Sequence, residues 1–585
     1  MLISKLSDYL QKLDKTSSRI EITKILAELF TECSVDEIEK VTYLILGTIA
    51  PRYKNIVFNI ADRMMVRAIA KAYEGEIEDV QALYKKIGDL GKVASDYAKD
   101  NNLNDKNKKL TVTEVFDYLV VIANDEGEGS QEMKVDKMAE LLKKVDSDSS
   151  KYIVRFTLGK LRLGFSDKTI LDALSWMETG GKSKKNQLEE AYNIIPDVGL
   201  LAKHVKEGGI DKTVKEISAI VGVPLLPMLP ARLKSPTEMI EKMSEVAVEP
   251  KYDGLRIQIH YKSRGFEDGS KVKAFTRNLN ETSWMFPELE HLEKFVNAKE
   301  AIFDSEAVGV DEARKTMANF QTTMTRRRKH DIAEISKKVG IKFCIFDCLY
   351  KDGESIAGKT YLERRKVLAK TLKDSAITKL VEYEITKSPD DINHLMRKNL
   401  GDGLEGIIVK RTDSKYVAGR TGWRWVKMKE EESSKAKLSD TIDAIVMGYY
   451  RGKGKRTDFG IGGFLVGIRD ENEGGKEIGQ IKTLTKIGTG LTDDQFRELK
   501  NRLKNLETKE KPKEYGEVVK ILLPDVWVTP SLVVEIAADE ITKSPNHSSG
   551  YALRFPRLVK FRDDKSTDRA TCLDEIESLF KLQKR

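Results

Sequence analysis

VAVEPKYDGLRIQIHY (246–261) sets two runs of β character on either side of a charged turn. VAVEP (246–250) is apolar, and Leu255, Ile257, Ile259 and Tyr261 alternate with polar residues, so two strands are predicted. The turn between them carries Lys251, Asp253, Gly254 and Arg256. A lysine in water has a pKa of about 10.4 and is a poor nucleophile near neutrality. Neighbouring cations, a metal ion or partial burial favour its neutral amine and make it reactive. KYDGLR (251–256) on its own also describes a solvated hairpin, and several downstream segments are what give it weight.

The chain has 585 residues, which calls for about three domains. One third of it is charged and the formal net charge is +8, compatible with a polyanionic partner without requiring one. Cations gather in TRRRKH (325–330), RGKGKR (451–456) and LRFPRLVKFRDDK (553–565), each of which on its own also reads as a solvated face. The four cysteines, Cys33, Cys344, Cys348 and Cys572, form no C-x-x-C pair, so neither a zinc site nor a disulfide framework is spelled out. Leu2, Leu6, Leu10 and Leu13 share one helical face, which predicts an amphipathic core helix and not a signal peptide. The longest apolar runs, such as TYLILGTIAP (42–51), are too short to span a bilayer, and an intracellular protein is expected.

Three- and four-residue apolar spacing in EITKILAELFTEC (21–33), DKMAELLKKV (136–145) and TILDALSWM (169–177) predicts a helical region over 1–220. GGKSKK (180–185) is no phosphate loop, because Trp176 stands where a Walker motif needs glycine; it reads as a polar loop between helices. Pro224, Pro227, Pro230 and Pro236 make 221–236 an ordered, semi-rigid linker. Residues 237–430 mix short strands with helices. The polar stretch EEESSKAKLSD (430–440) leads into a β-rich tail, 431–585, that suits a small barrel of the oligonucleotide-binding (OB) type. The expected fold class is therefore multidomain α+β: an all-helical N-terminal domain, an α+β domain and a C-terminal OB-fold β-barrel.

The segments that follow Lys251 are FTRN (275–278), FDSE (303–306), CIFDC (344–348), LEGIIVKR (404–411), WRWVKMK (423–429) and ALRFPRLVKFRDDK (552–565). In this order they resemble the ATP-dependent DNA ligases of the archaeal and eukaryotic replicative type, within the lysine-dependent nucleotidyltransferases. The resemblance extends over nearly the whole chain, with FTLGKLRLGFSD (156–167) similar to a stretch of that family's DNA-binding domain. It implies that 1–220 binds DNA and that 237–430 is the nucleotidyltransferase (adenylation) domain. It makes Lys251 the nucleophile that takes AMP from ATP, Glu249 the reader of the adenine edge and Arg256 a nucleotide contact. Arg277 is placed near the reacting phosphates, where a planar guanidinium grips two oxygens. Glu306 contacts ribose or places the metal, Phe346 stacks on adenine, and Glu405 joins Glu306 as a metal carboxylate. Lys427 and Lys429 share one strand face, hold the α-phosphate and lower the pKa of Lys251.

The last motif implies that Arg554, Arg562 and Lys565 act on the leaving pyrophosphate, with Arg557 and Asp564 also on the family's pattern. That requires the barrel to close over the nucleotide and swing away about 430–440. Two departures stand out. Ser305 replaces the usual glycine of Asp-Gly-Glu, which puts the local turn in question, and Lys560 replaces arginine, keeping charge but losing bidentate geometry.

The implied activity is ATP-dependent sealing of nicks in duplex DNA, in replication, repair and recombination, with Mg²⁺ as metal. Mn²⁺ in place of Mg²⁺, and ADP or GTP in place of ATP, stay open. Contacts mainly to phosphates and sugars imply affinity that falls steeply with salt. A monomer is expected, cytoplasmic in an archaeal source and nuclear in a eukaryotic one; a sliding clamp is an open partner, with no clear clamp-binding peptide. The alternatives are an RNA ligase, a capping-type nucleotidyltransferase, or a non-catalytic DNA-binding protein that keeps the fold.

Overall fold

The computed structural model describes residues 1–100, 109–161, 163–233, 235–311, 316–317, 340–419, 422–429, 441–452, 460–470, 480–488 and 491–582. TRRRKH (325–330), residues 453–456 of RGKGKR and the proposed hinge at 430–440 lie outside the described residues. The chain divides into two compact units, Met1–Lys429 and Glu430–Arg585. Among the described residues no helix is long and apolar enough to cross a membrane.

Helices run from Ile3–Asp14 to Val198–Glu216, and their apolar faces meet in one core that includes Leu6, Leu10, Leu26, Phe30, Leu119, Leu142 and Phe156. The first helix departs from expectation at one position. Leu2 precedes the helix and is 41% exposed, while Ile3 takes the buried place. GGKSKK joins two helices as a loop, with Gly180 capping Asp167–Thr179 at φ +66°. All four cysteines are free and buried, so the thiols act as packing groups.

Two sheets follow. In the first, Val246–Lys251 lies between Gly406–Arg411 and Glu384–Thr386, and Trp425–Lys429 flanks Gly406–Arg411. Period-two alternation gives this sheet two chemically different faces. Val246, Val248, Ile407, Val409 and Val426 pack with Met239, Met243, Ile392 and Leu395 of two helices, Pro236–Met243 and Pro389–Gly401. The opposite face carries Glu249, Lys251, Ile408, Lys410, Trp425, Lys427 and Lys429, as the pairings Glu249↔Ile408, Lys251↔Gly406, Ile408↔Lys427 and Lys410↔Trp425 require.

The second sheet is built around Leu255–Lys262, Glu300–Asp311 and Gly340–Lys351. Ile257, Ile259, Phe303, Ala307, Phe343 and Ile345 enter its core, while Arg256, Gln258, Asp304 and Glu306 take the other face. Ser305 lies inside a strand and not in a turn. Its hydroxyl is buried and donates to the Ile257 carbonyl at 2.7 Å, so the departure from Asp-Gly-Glu adds a cross-strand hydrogen bond.

The proline-rich segment does more than link. Gly222 N–H donates to His260 Nδ1 (2.9 Å) and Leu225 N–H to Gln258 Oε1 (2.8 Å). Leu229 N–H then donates to the Gly419 carbonyl and Ala231 N–H to that of Trp425, each at 2.8 Å. Proline supplies no N–H, and the residues before and between the prolines make these bonds. Burial drives the His260 pKa down to about 3, so its ring is a neutral acceptor.

The C-terminal unit is β-rich and antiparallel. Ile442–Arg451 pairs with Ile461–Arg469, Val526–Val528 and Val533–Ala537, and Arg557–Phe561 adds to Val533–Ala537. Register shifts in the first of these pairs bend the strands, as a small barrel needs. Val446, Phe464, Leu484 and Val534 fill the core, with Phe496 and Leu499 of the helix Asp493–Leu503 against it.

One buried ion pair ties the second sheet to its surroundings. Arg364 and Asp347 are both fully buried and meet through two bonds, at 2.8 and 2.9 Å; Arg364 also donates to the carbonyls of Lys359 and Ser414. Arg364→Met leaves an uncompensated carboxylate, and we expect it to cost about 3–5 kcal/mol in denaturant unfolding. A loss below about 1 kcal/mol would show that the pair is not structural.

Candidate active site

The polar faces of the two sheets line one cavity of about 220 Å³. Glu249, Lys251, Ile408, Lys410, Trp425 and Lys427 come from the first sheet, and Arg256, Glu306 and Phe346 from the second. Arg277, Leu229 and Pro230 complete much of the wall, so the proline-rich segment reaches the site. Sequence motifs from Lys251 to Lys427 thus converge on one place.

Lys251 ends its strand with its side chain half-buried and ion-paired to Glu405, which also pairs with Lys429. Glu405 reaches it because its own N–H donates to the Lys251 carbonyl (3.0 Å) just before Gly406. Gly406 has φ +143° and sits against the Met428 carbonyl, so the strand can begin there only with glycine. Burial lowers the Lys251 pKa and Glu306 and Asp253 oppose it, so the lowering expected from Lys427 and Lys429 is not among its causes. Glu306 is partly open to the cavity yet short of bulk water, and this pushes its carboxyl up to about 7 against the pull of Lys251 and Arg256.

At the other end Glu249, 2% exposed, accepts from the Tyr361 hydroxyl at 2.5 Å and pairs with Lys410 at 2.6 Å. Phe346 meets Trp425 edge-on at 5.9 Å. Phe346 therefore borders the cavity and is not simply core. Arg256 is held in place: two of its nitrogens donate to Asp304 at 3.0 and 2.6 Å, and a third to the Met228 carbonyl at 2.6 Å. The Tyr416 hydroxyl donates to the same Asp304 at 2.8 Å.

Asp304, Tyr361, Lys410 and Trp425 escaped the sequence reading. The alternation in LEGIIVKR, followed from Glu405, was the available signal for Lys410, since it places residues 406, 408 and 410 on one face.

Arg554, Arg562 and Lys565 belong to the C-terminal unit. Arg562 donates to both oxygens of Asp443 (3.0 and 3.1 Å) and to those of Asp564 (2.9 and 2.8 Å). Lys565 reaches Asp443 at 2.5 Å, and Arg554 reaches Glu540 at 3.4 Å. Asp443 therefore gathers two of the three cations.

The family description "DNA ligase N terminus" matches residues 2–175, "ATP dependent DNA ligase domain" residues 227–429, and "ATP dependent DNA ligase C terminal region" residues 457–565. A probable DNA ligase of Dictyoglomus turgidum is 38% identical over 594 residues, covering 100% of this chain and 98% of that relative. The chain belongs to the ATP-dependent DNA ligase family. A DNA ligase of Pyrobaculum islandicum is 35% identical over 100% of this chain and 99% of its own length. The solved structure described as Pmar-Lig_Pre shares the fold, with a TM-score of 0.53 at 17% identity over 95% of this chain and 99% of that one. The helical, α+β and β-rich parts of the expected fold are thus those of ATP-dependent DNA ligases.

The raised Glu306 carboxyl has a stability consequence in this ligase. Between its ordinary value of 4.5 and about 7 the folded chain keeps a proton that the unfolded chain has released, so stability falls as pH rises through that window. Above it the full penalty is present. Glu306→Gln removes the penalty, and we expect stabilisation on the order of 1–3 kcal/mol at pH 8 and less at pH 5, in chelator-containing buffer. The same shift at both pH values would contradict the account.

Proposed function

We propose that the cavity is the ATP site and that Lys251 is the residue that becomes adenylylated. The supporting observation is a lysine, half-buried and with a lowered pKa, standing between two carboxylates in a cavity with aromatic and anionic groups at one end and cations at the other. The base lies toward Glu249, Phe346 and Trp425, and the α-phosphate toward Lys251, Arg277 and Lys427. The Lys251 amine attacks the α-phosphorus; the N–P bond forms as the bond to the β-phosphate oxygen breaks, pyrophosphate departs and the amine gives up a proton.

AMP then passes to the 5′-phosphate of a nick, and the adjoining 3′-hydroxyl displaces it to close the strand. Arg256 is locked by Asp304 and acts through the shape of the wall as much as by direct contact.

Among the described residues no three His, Cys, Asp or Glu side chains come close enough for an all-protein metal cage. Two carboxylates beside a phosphate site fit a hard cation that keeps its waters and borrows substrate oxygens. Glu306 and Glu405 would hold Mg²⁺, or Mn²⁺ in its place. Such a cation supplies neutralisation of phosphate charge. We read Arg554, Arg562 and Lys565 as acting on the leaving pyrophosphate, supported by their family pattern. Nicked duplex DNA is the substrate, and the activity serves replication, repair and recombination in the cytoplasm of an archaeal-type source.

Intact mass after incubation with ATP and Mg²⁺ should show one added adenylyl group, lost on adding nicked duplex. Lys251→Arg should abolish the adduct while nicked-DNA binding stays within about twofold; an adduct on that variant would remove Lys251 from the mechanism. Arg562→Ala or Lys565→Ala should slow adenylylation at least ~10-fold more than sealing of pre-adenylylated DNA. Equal losses would rule out a role confined to the first step.

A further inference from the structure

We propose that Lys410 is a positioning residue for base selection: it pairs with the Glu249 carboxylate and keeps it aimed, so that the cavity takes a 6-aminopurine nucleotide and refuses a 6-keto one. The inference rests on the cavity being the ATP site.

Lys410 is 1% exposed and Glu249 2%, so the pair has left water almost completely. Register brings them together: Lys410 lies opposite Ala247 on one side and Trp425 on the other, on the sheet face that also carries Glu249. Its ammonium stands 2.6 Å from Glu249 Oε2. Three aromatic rings surround that ammonium, with centroids at 4.2 Å (Trp425), 4.5 Å (Phe346) and 5.2 Å (Tyr361). Ring faces stabilise a cation without competing for the carboxylate. The Tyr361 hydroxyl occupies Oε1.

An ionised carboxylate only accepts hydrogen bonds and has about four lone-pair positions. Tyr361 uses one of these by a hydrogen bond, Lys410 faces the other oxygen as its ion-pair partner, and both Glu249 and Lys410 line the cavity. An exocyclic amine at position 6 of a purine can donate to what remains. A keto oxygen there would set lone pair against lone pair, and a site whose buried polar group goes unpaired rejects such a ligand strongly.

Without the ammonium, the buried carboxylate keeps only the more distant Arg365, whose Nη1 stands 4.0 Å from Oε1, and loses the partner that holds Oε2. A carboxylate no longer held there can turn, and its lone pairs then stop opposing a keto oxygen at position 6. Lys410 therefore governs the choice between bases and not affinity alone.

The test compares ATP with inosine triphosphate, which carries a keto oxygen at position 6. Rates of covalent adduct formation with each, in Mg²⁺, are read by intact mass on the full chain and on Lys410→Met, Lys410→Arg and Tyr361→Phe. We expect the ATP-to-ITP rate ratio to fall at least ~10-fold in Lys410→Met. Lys410→Arg should retain more of it, and Tyr361→Phe should lose a smaller part. Should melts show that Lys410→Met does not fold, Lys410→Arg and Tyr361→Phe carry the test, with a lowered ratio in Tyr361→Phe as the supporting result. A ratio unchanged in the folded variants, with both rates reduced alike, overturns the inference and leaves Lys410 structural. No adduct with ATP on the unsubstituted protein overturns both this inference and the site reading.

Discussion

The antiparallel pairing of Lys251 with Gly406 governs where the polar groups of the first sheet stand. From that register, alternation sends Glu249, Lys410, Lys427 and Lys429 to one face of the sheet and Val248, Val409 and Val426 to the other. A slip of one residue would exchange the two sets and bury the lysines among Met239 and Ile392. Such a slip is opposed twice, by the apolar face packed on two helices and by a backbone at residue 406 that needs glycine.

Concentrating charge between two sheets carries a cost, and the site meets it by local pairing. Asp304 neutralises Arg256, Lys410 neutralises Glu249, and Asp347 neutralises Arg364, in each case with further hydrogen bonds on the same groups. Isolated buried charges would be far less favourable than these satisfied sets. Lys251 is paired in the same way with Glu405. Burial lowers its pKa and raises that of Glu306, and shifts of this kind are common among groups held for chemistry.

Much of this was legible in the sequence, for identifiable reasons. The alternation in LRIQIHY and WRWVKMK writes strand faces directly into residue order, and helical spacing does the same for the N-terminal region. Motif order then brought together residues that folding places around one cavity. What stayed hidden depends on distant partners. Lys410 looks like one more strand-end cation until Glu249 and three rings are seen around it. Asp304 shows its purpose only beside Arg256, and the proline-rich segment reads as a spacer because its bonds go to Gln258, His260 and Trp425. Ser305 looked like a turn residue because the glycine it replaces suggests one. Leu2 fits the helical period but stands before the first turn.

The clasp between Gly222 and His260 has a consequence for how the chain responds to solution conditions. Its acceptor is an uncharged ring, and the neighbouring bonds along the proline-rich segment join amide to amide or amide to side-chain carbonyl. Ions in solution screen charges and leave such bonds largely untouched. Contacts with a phosphate backbone are of the opposite kind. Rising ionic strength therefore loosens the grip on a polyanion while the bonds that hold the proline-rich segment against the cavity wall stay in place.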